Sequence, residues 1–329
     1  MRRWDWTWED ARPTAPRERE PGVGAAPEGP AGPTRRPLRA YHRRRRAGAA
    51  LVLAAILALL VGELTHHGQA RTGSPASGAP ASTHDPTASR PTSASREAST
   101  ARAESEAIDR VLAYTPAVTS GGSEGHEVAL TFDDGPGPYT RQLVGVLNRL
   151  HVHATFFAIG EEERWFSAGT RLELASGDAI GDHTETHPMM ASLSAREQYE
   201  ELLEQIARIE LLGGQRPRLF RPPYGSFNAT TFRLLHRLHL LMVLWSTDTS
   251  DYQLPGVSTI VQRALAGAHP GAIILMHDAG GNRAETITAL PTIVSGLRKR
   301  GLDPVTVPRL MLDDPPPPGR PIPTSLAGD

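Results

Sequence analysis

Between residues 126 and 312, short apolar runs alternate with stretches of helical period, and that alternation sets the fold class. Seven runs read as strands: 127–132, 154–159, 179–182, 219–221, 241–245, 272–276 and 304–307. The clearest helix between them spans 195–212. There Leu202, Leu203, Ile206, Ile209 and Leu212 recur at intervals of three or four and line one face, behind a capping box of Ser194 and Glu197. Strands that alternate with helices in this way form a parallel sheet, because each return to the same edge needs a crossover. The pattern predicts an α/β domain built on such a sheet, open or closed into a barrel. In either form the active site belongs at the carboxyl ends of the strands.

The chain before this domain reads differently. Residues 47–62 (AGAALVLAAILALLVG) are uncharged and directly follow Arg43, Arg44, Arg45 and Arg46. At ~1.5 Å per residue they reach about 24 Å against a hydrocarbon core of roughly 30 Å, short unless the arginines snorkel. Residues 47–64 are therefore expected to be a single transmembrane helix or a signal segment cleaved near Ala70. The positive-inside rule then leaves the later residues outside the cell. Residues 1–46, rich in Arg, Pro and Gly, read as a disordered cytoplasmic tail. Residues 65–125 read as a flexible linker, since 27 of the 34 residues from Ala70 to Ala103 are Ala, Gly, Pro, Ser or Thr. After Leu312, the run Pro315 to Pro318 opens a Pro-rich disordered tail over 313–329.

Composition narrows the chemistry. A chain of 329 residues that is 39% hydrophobic can bury one sizeable core or two small ones. Its 35 basic and 36 acidic residues argue against nucleic acid as a partner. The balance hides a split, because residues 1–46 carry a net +6 and leave −7 for the remainder. With no cysteine, any metal must be held by nitrogen and oxygen. Lys299 is the single lysine, which leaves Schiff-base chemistry almost nothing to draw on.

Polar residues gather at the predicted strand ends. Asp133 and Asp134 close the first strand. Adjacent carboxylates on a strand point to opposite faces, but Gly135 and Pro136 break the strand and let both serve one site. Their mutual repulsion is relieved by a cation on one, with the other left as a base. The third strand delivers His183 and His187, four apart, on a turn kept short and irregular by Pro188. With one carboxylate these make a three-ligand set that leaves a coordination position open. Arg221, placed to orient a carboxylate, precedes Pro222 and Pro223, which free the amide of Tyr224 for an incoming group. The fifth strand ends at Trp245 and leads to Asp251 and Tyr252, and the sixth ends Leu275, Met276, His277, Asp278. A histidine beside a buried carboxylate keeps its proton to higher pH and can act as a general acid. His126, His151, His153, His236, His239 and His269 read as structural.

In order and spacing, Asp133-Asp134, His183-x-x-x-His187, Arg221-Pro-Pro-Tyr224, Trp245 with Asp251, and Leu275-x-His277 resemble the motifs of the NodB-homology polysaccharide deacetylases, carbohydrate esterase family four. The segment 154–160 (ATFFAIG) resembles that family's second strand. The resemblance covers about residues 126–310. It implies a distorted (β/α)7 barrel and metal-dependent removal of acetyl groups from an N-acetylated sugar. Carried onto this chain, it makes Asp134, His183 and His187 the ligands of one divalent metal, zinc, with cobalt as a substitute. Asp133 becomes the general base, held by Arg221, and His277 the acid that protonates the leaving amine, supported by Asp251. The Tyr224 amide stabilises the oxyanion, and Trp245 and Leu275 wall the acetyl pocket. Tyr252 departs from the family's usual Trp, and Asp248 ranks below Asp251 as the partner of His277. The substrate expected is a cell-wall polysaccharide, either peptidoglycan N-acetylglucosamine or N-acetylmuramic acid, acted on by a monomer tethered outside the cell through residues 47–62. Chitin oligomers and O-acetyl xylan are the alternative substrates, and a non-catalytic wall-binding module is the alternative to an enzyme.

Overall fold

The computed structural model describes residues 93–323. The chain there runs α1 (Ser93–Leu112), β1 (Ala117–Val118), β2 (Glu127–Asp133), α2 (Thr140–Leu150), β3 (Thr155–Ala158), α3 (Gly160–Ala175), β4 (Ala179–Asp182) and α4 (Ala195–Leu211). It continues with β5 (Leu219–Phe220), α5 (Ala229–Leu238), β6 (Leu241–Val243), β7 (Thr247–Asp248), α6 (Val257–Ala266), β8 (Ile273–His277), α7 (Ala284–Lys299), β9 (Asp303–Val305) and α8 (Val307–Asp313). All seven predicted strands form, each within two residues of its expected limits. The α4 capping box also forms: Glu197 N donates to Ser194 Oγ at 3.3 Å, and Ser194 N donates to the Glu197 carboxylate at 2.9 Å.

The strands pair in the order β1-β6-β5-β4-β3-β2-β8-β7, with β9 added beside β2, and every pairing is parallel. Val118, Ala129, Phe157, Leu219, Leu241, Val243 and Ile273, from six different strands, converge in one buried cluster. One face of a sheet meets itself in this way only when the sheet curls around it. Ile108 and Val111 of α1 and Val307, Leu310 and Met311 of α8 complete the cluster and close its floor. On the outer face, α2, α6 and α7 cover one half of the sheet, and α4 and α5 cover the other.

The structure corrects the sequence expectation in three places. The seven-stranded barrel is not closed by strand pairing among the described residues; the parallel strands form a half-barrel. Between its ends the chain makes scattered bonds in place of a ladder: the isolated Ser120–Ala272 bridge, Gly121 N to Gly271 O at 2.7 Å, Ser246 N to Ile273 O at 3.1 Å and Ile273 N to Ser246 Oγ at 3.1 Å. The strands near the gap, β1 and β7, are two residues long and offer few ladder bonds. Second, the linker expected over 65–125 ends well before Ala117. Residues 93–112 are helical, and Ala107, Ile108 and Val111 are at most 2% exposed, because the last two turns carry an apolar face that fits the floor. Third, the tail expected to be disordered from 313 packs back onto that segment. Tyr114 Oη donates to Pro316 O at 2.6 Å, Gly122 N donates to Asp314 O at 2.7 Å, and Arg320 bonds Ser120 Oγ. No helix among the described residues is long and apolar enough to cross a membrane. The tail 1–46, the apolar run 47–64 and the linker up to residue 92 lie outside the described residues.

Candidate active site

The inward face of β2 carries Ala129, Thr131 and Asp133 in alternation, so the strand delivers one carboxylate to the mouth by its period alone. Asp134 then leaves the strand at φ 73°, a left-handed conformation that Asp tolerates better than most residues. That turn brings the second carboxylate to the same side. The break thus begins one residue before the Gly-Pro that predicted it.

The turn after β4 is irregular, as Pro188 implied. Thr184 and His187 have φ of 70° and 57°, and Asp182 accepts from Thr184 N at 2.8 Å to hold the bend. Both imidazoles consequently face Asp134. His187 Nε2 lies 3.2 Å and His183 Nε2 3.7 Å from Asp134 Oδ1. His183 Nδ1 donates to Arg221 O at 2.7 Å, and since a carbonyl cannot donate, the neutral ring presents its Nε2 lone pair toward Asp134. His187 Nδ1 bonds Tyr224 Oη at 3.1 Å. Among the described residues, Asp134, His183 and His187 are the one group of three whose ligand atoms lie within 4.8 Å of one another. Burial opposes the charge on Asp134, but hydrogen bonds from His183 and His187 hold its carboxyl well below the usual carboxylate range. One carboxylate and two imidazole nitrogens fit a divalent metal of borderline softness such as zinc.

Arg221 is fully buried at the end of β5. Its Nη1 donates to Asp133 Oδ1 at 2.7 Å and to Thr131 Oγ1 at 2.9 Å, its Nε to Val243 O at 3.0 Å, and its Nη2 to Leu244 O at 3.2 Å. Its guanidinium lies 4.1 Å over the Phe157 ring. One fork therefore ties Asp133 to β6 and leaves the other carboxylate oxygen, Oδ2, facing His183 at 3.8 Å.

Across the mouth, His277 Nδ1 bonds Asp251 Oδ1 at 2.7 Å, while Asp251 Oδ2 accepts from His277 N at 3.0 Å and from Thr286 Oγ1 at 2.7 Å. Burial disfavours the imidazolium, but the hydrogen bond and charge of Asp251, helped by Asp134 and Asp133, push His277 up to about 9. Asp251 itself is held below its ordinary value by the same pairing against the cost of burial. Asp248 makes a local turn instead, accepting from Ser250 N at 2.6 Å. Tyr224 sits at φ 58°, and its amide has no acceptor among the described residues. Trp245 is half-buried 5.7 Å from Arg221, Leu275 shares the inward face of β8 with His277, and Tyr252 stands edge-on to His277 at 5.4 Å. His151 and His239 serve as left-handed helix caps, and His269 bonds Pro270 O.

Two residues beside the site went unassigned by sequence: Thr140, and the fully buried Asp278 whose carboxylate it bonds. They stand 138 positions apart, and no local pattern links them.

The chain matches the profile of the family described as polysaccharide deacetylase over residues 120–243. It is 37% identical over 187 residues to a peptidoglycan-N-acetylglucosamine deacetylase of Bacillus cereus, covering 56% of this chain and 87% of the relative. It is 34% identical over 196 residues to a chitooligosaccharide deacetylase of Bradyrhizobium, covering 56% and 90%. Among solved structures it resembles a crystal structure of a peptidoglycan N-acetylglucosamine deacetylase, with a TM-score of 0.59 and 32% identity over 62% of this chain and 95% of that one.

Proposed function

The chain belongs to the polysaccharide deacetylase family, and from that premise we propose that it hydrolyses the N-acetyl groups of N-acetylglucosamine in peptidoglycan. The observation that carries this reading is the meeting, in one mouth, of an Arg-held carboxylate, an Asp-His-His cluster and a histidine whose proton is held by a buried Asp. Asp134, His183 and His187 would hold zinc, which when bound supplies positive charge that acidifies water and polarises the acetyl carbonyl. Asp133, fixed through Oδ1 by Arg221, takes a proton from the attacking water at Oδ2. The Tyr224 amide donates to the developing oxyanion. His277 keeps its Nδ1–H on Asp251 and passes the Nε2 proton to the departing nitrogen. The C–N bond breaks as the new C–O bond persists, giving acetate and a free amine. Trp245 and Leu275 flank the space for the methyl group.

In this reading residues 47–62 tether the domain outside the membrane, where the wall lies, and membrane fractionation of the full chain tests that placement. Action on chitin oligomers is the second reading, supported by the Bradyrhizobium relative and its 90% coverage. The deciding experiment is acetate release by the full-length protein, purified in detergent, from peptidoglycan, chitin oligomers and acetylated xylan. Each is assayed before and after chelation and zinc restoration, beside Asp133→Asn. Zinc-restored release from peptidoglycan, absent in the control, is expected. Release from chitin oligomers or xylan alone overturns the substrate, and release that survives chelation overturns the metal.

A further inference from the structure

Asp134 is bracketed by one side chain that the chemistry above does not use. Asp278 follows His277 at the end of β8 and is fully buried. Its N–H donates to Asp133 O at 3.1 Å, on one side of Asp134. On the other side its carboxyl lies flat against Gly135, where an added Cβ would come within 2.3 Å of Oδ1 and 2.4 Å of Oδ2. Its Oδ2 also accepts from Thr140 Oγ1, which in turn accepts from Gly137 N at 2.7 Å. The Gly137 N–H can only donate, so it takes a lone pair of Thr140 Oγ1 and leaves the hydroxyl proton for Asp278 Oδ2, which carries none. The direction of this relay is therefore set: Gly137 to Thr140 to Asp278.

The segment after Asp278 presses on the same ligand. Gly280, at φ 72°, stands so close that a Cβ there would lie 2.5 Å from Asp134 Oδ2. Arg283, buried at the start of α7, donates from Nε to Ala279 O at 2.6 Å and from Nη2 to Gly280 O at 3.0 Å, which fixes that backbone in place. Asp278 Oδ1 has no hydrogen-bond partner among the described residues. Burial pushes this carboxyl up to about 7, with the charges of Asp134 and Asp133 acting in the same sense against the Thr140 bond and His277. A proton on Oδ1 leaves Oδ2 free to accept, so the contact to Thr140 holds in either protonation state.

We propose that Asp278, acting through Thr140, is a positioning residue that latches the Asp134 loop to the strand bearing His277 and thereby sets the metal affinity of the Asp134–His183–His187 site. The proposal rests on the reading of that trio as the metal site. Residues that orient a metal ligand from behind are worth roughly ten- to a hundredfold in affinity. That range is the expected rise in zinc Kd for Thr140→Val, which keeps the side-chain shape and removes the relay.

The test is a competition titration of zinc, against a chromophoric chelator, on the full-length protein with Thr140→Val, Thr140→Ser and Asp278→Asn. Metal-free melting curves establish that each variant is folded, and Thr140→Ala replaces Thr140→Val if the latter melts far below the parent. Thr140→Ser, which restores the hydroxyl, is expected to bind zinc as the parent does. Asp278→Asn, whose amide oxygen still accepts from Thr140, is expected to stay close to it. In zinc-saturated assays the weakened variant is expected to lose kcat with KM for a soluble oligosaccharide unchanged. A folded Thr140→Val protein with the parent's zinc Kd overturns the latch, and so does an Asp278→Asn protein weakened as much as Thr140→Val, since charge and not position would then be the cause. Failure of the parent itself to bind zinc overturns the metal-site reading instead.

Discussion

Replacing Asp251 with Asn isolates what the carboxylate does for the proton on His277. Burial alone would lower the imidazole, yet the hydrogen bond and charge of Asp251, with Asp134 and Asp133 behind it, raise it from 6.5 to about 9. At about 1.4 kcal/mol per unit, that rise corresponds to roughly 3 kcal/mol in favour of the charged form. The substituted amide can still accept from Nδ1, but it brings no charge, and its NH₂ faces donors from His277 N and Thr286 Oγ1. The His277 value is then expected at about 6.5 or lower. An acid must hold its proton to act, so activity falls as pH rises through this value. The alkaline limb of kcat should move from about 9 to about 6.5, and at pH 8 the protonated fraction should drop about thirtyfold. Stability follows the same sign. A group raised on folding stabilises below its unfolded value near 6.5, and that contribution is lost as pH climbs through about 9, so the parent should lose stability over this window while the variant does not. The assays are a pH–kcat profile on a soluble oligosaccharide and an NMR titration of His277 in the metal-free protein. An alkaline limb that stays in place in the Asp251→Asn protein, or a parent His277 that titrates near 6.5, would refute the reasoning.

Other perturbations reach different parts of the structure. Arg221→Met should destabilise by about 3–5 kcal/mol in urea unfolding, because it strands the buried carboxylate of Asp133, and Arg221→Lys should rescue little, since one ammonium cannot span Asp133, Val243 O and Leu244 O. Gly280→Ala places a methyl against Asp134 Oδ2 on a left-handed backbone and should raise the zinc Kd without altering the substrate KM; an unchanged Kd would place the loop elsewhere. Ile108→Ala should cost about 2–5 kcal/mol by emptying part of the floor, a loss read by thermal melting.

Much of the site was legible because its residues sit beside strands whose period is local. Each motif follows a run of β-type residues, so reading the strand ends was enough to bring Asp133, His183, Arg221, Asp251 and His277 to one mouth. What escaped notice depends on contacts remote in sequence. The helical turns around Ile108 and Val111 look like linker until α8, some two hundred residues on, supplies the other half of the floor. β1 and β7, at two residues each, carry no readable alternation. The open seam follows from how those short strands meet, which no window of sequence contains. Arg221 was legible as a partner for a carboxylate, but its bonds to the carbonyls of Val243 and Leu244 were not, since backbone acceptors leave no mark on residue identity. Asp278 showed the same blindness: its partner is a threonine 138 positions away, at the start of α2.

The floor formed by α1 and α8 also gives the domain a polarity. Arg218, just ahead of β5, bonds Ser105 Oγ at 2.6 Å, and Tyr114 bonds Pro316, so the first and last described segments are knotted together at the amino ends of the strands. The mouth lies at the carboxyl ends, the length of β2 away, or about 23 Å for its seven residues. Load carried through α1 and the segment 314–320 therefore bears on the base, away from the opening. Whatever enters the mouth meets the strand ends that carry Asp133, His183 and His277, while the α1–α8 floor lies on the opposite side.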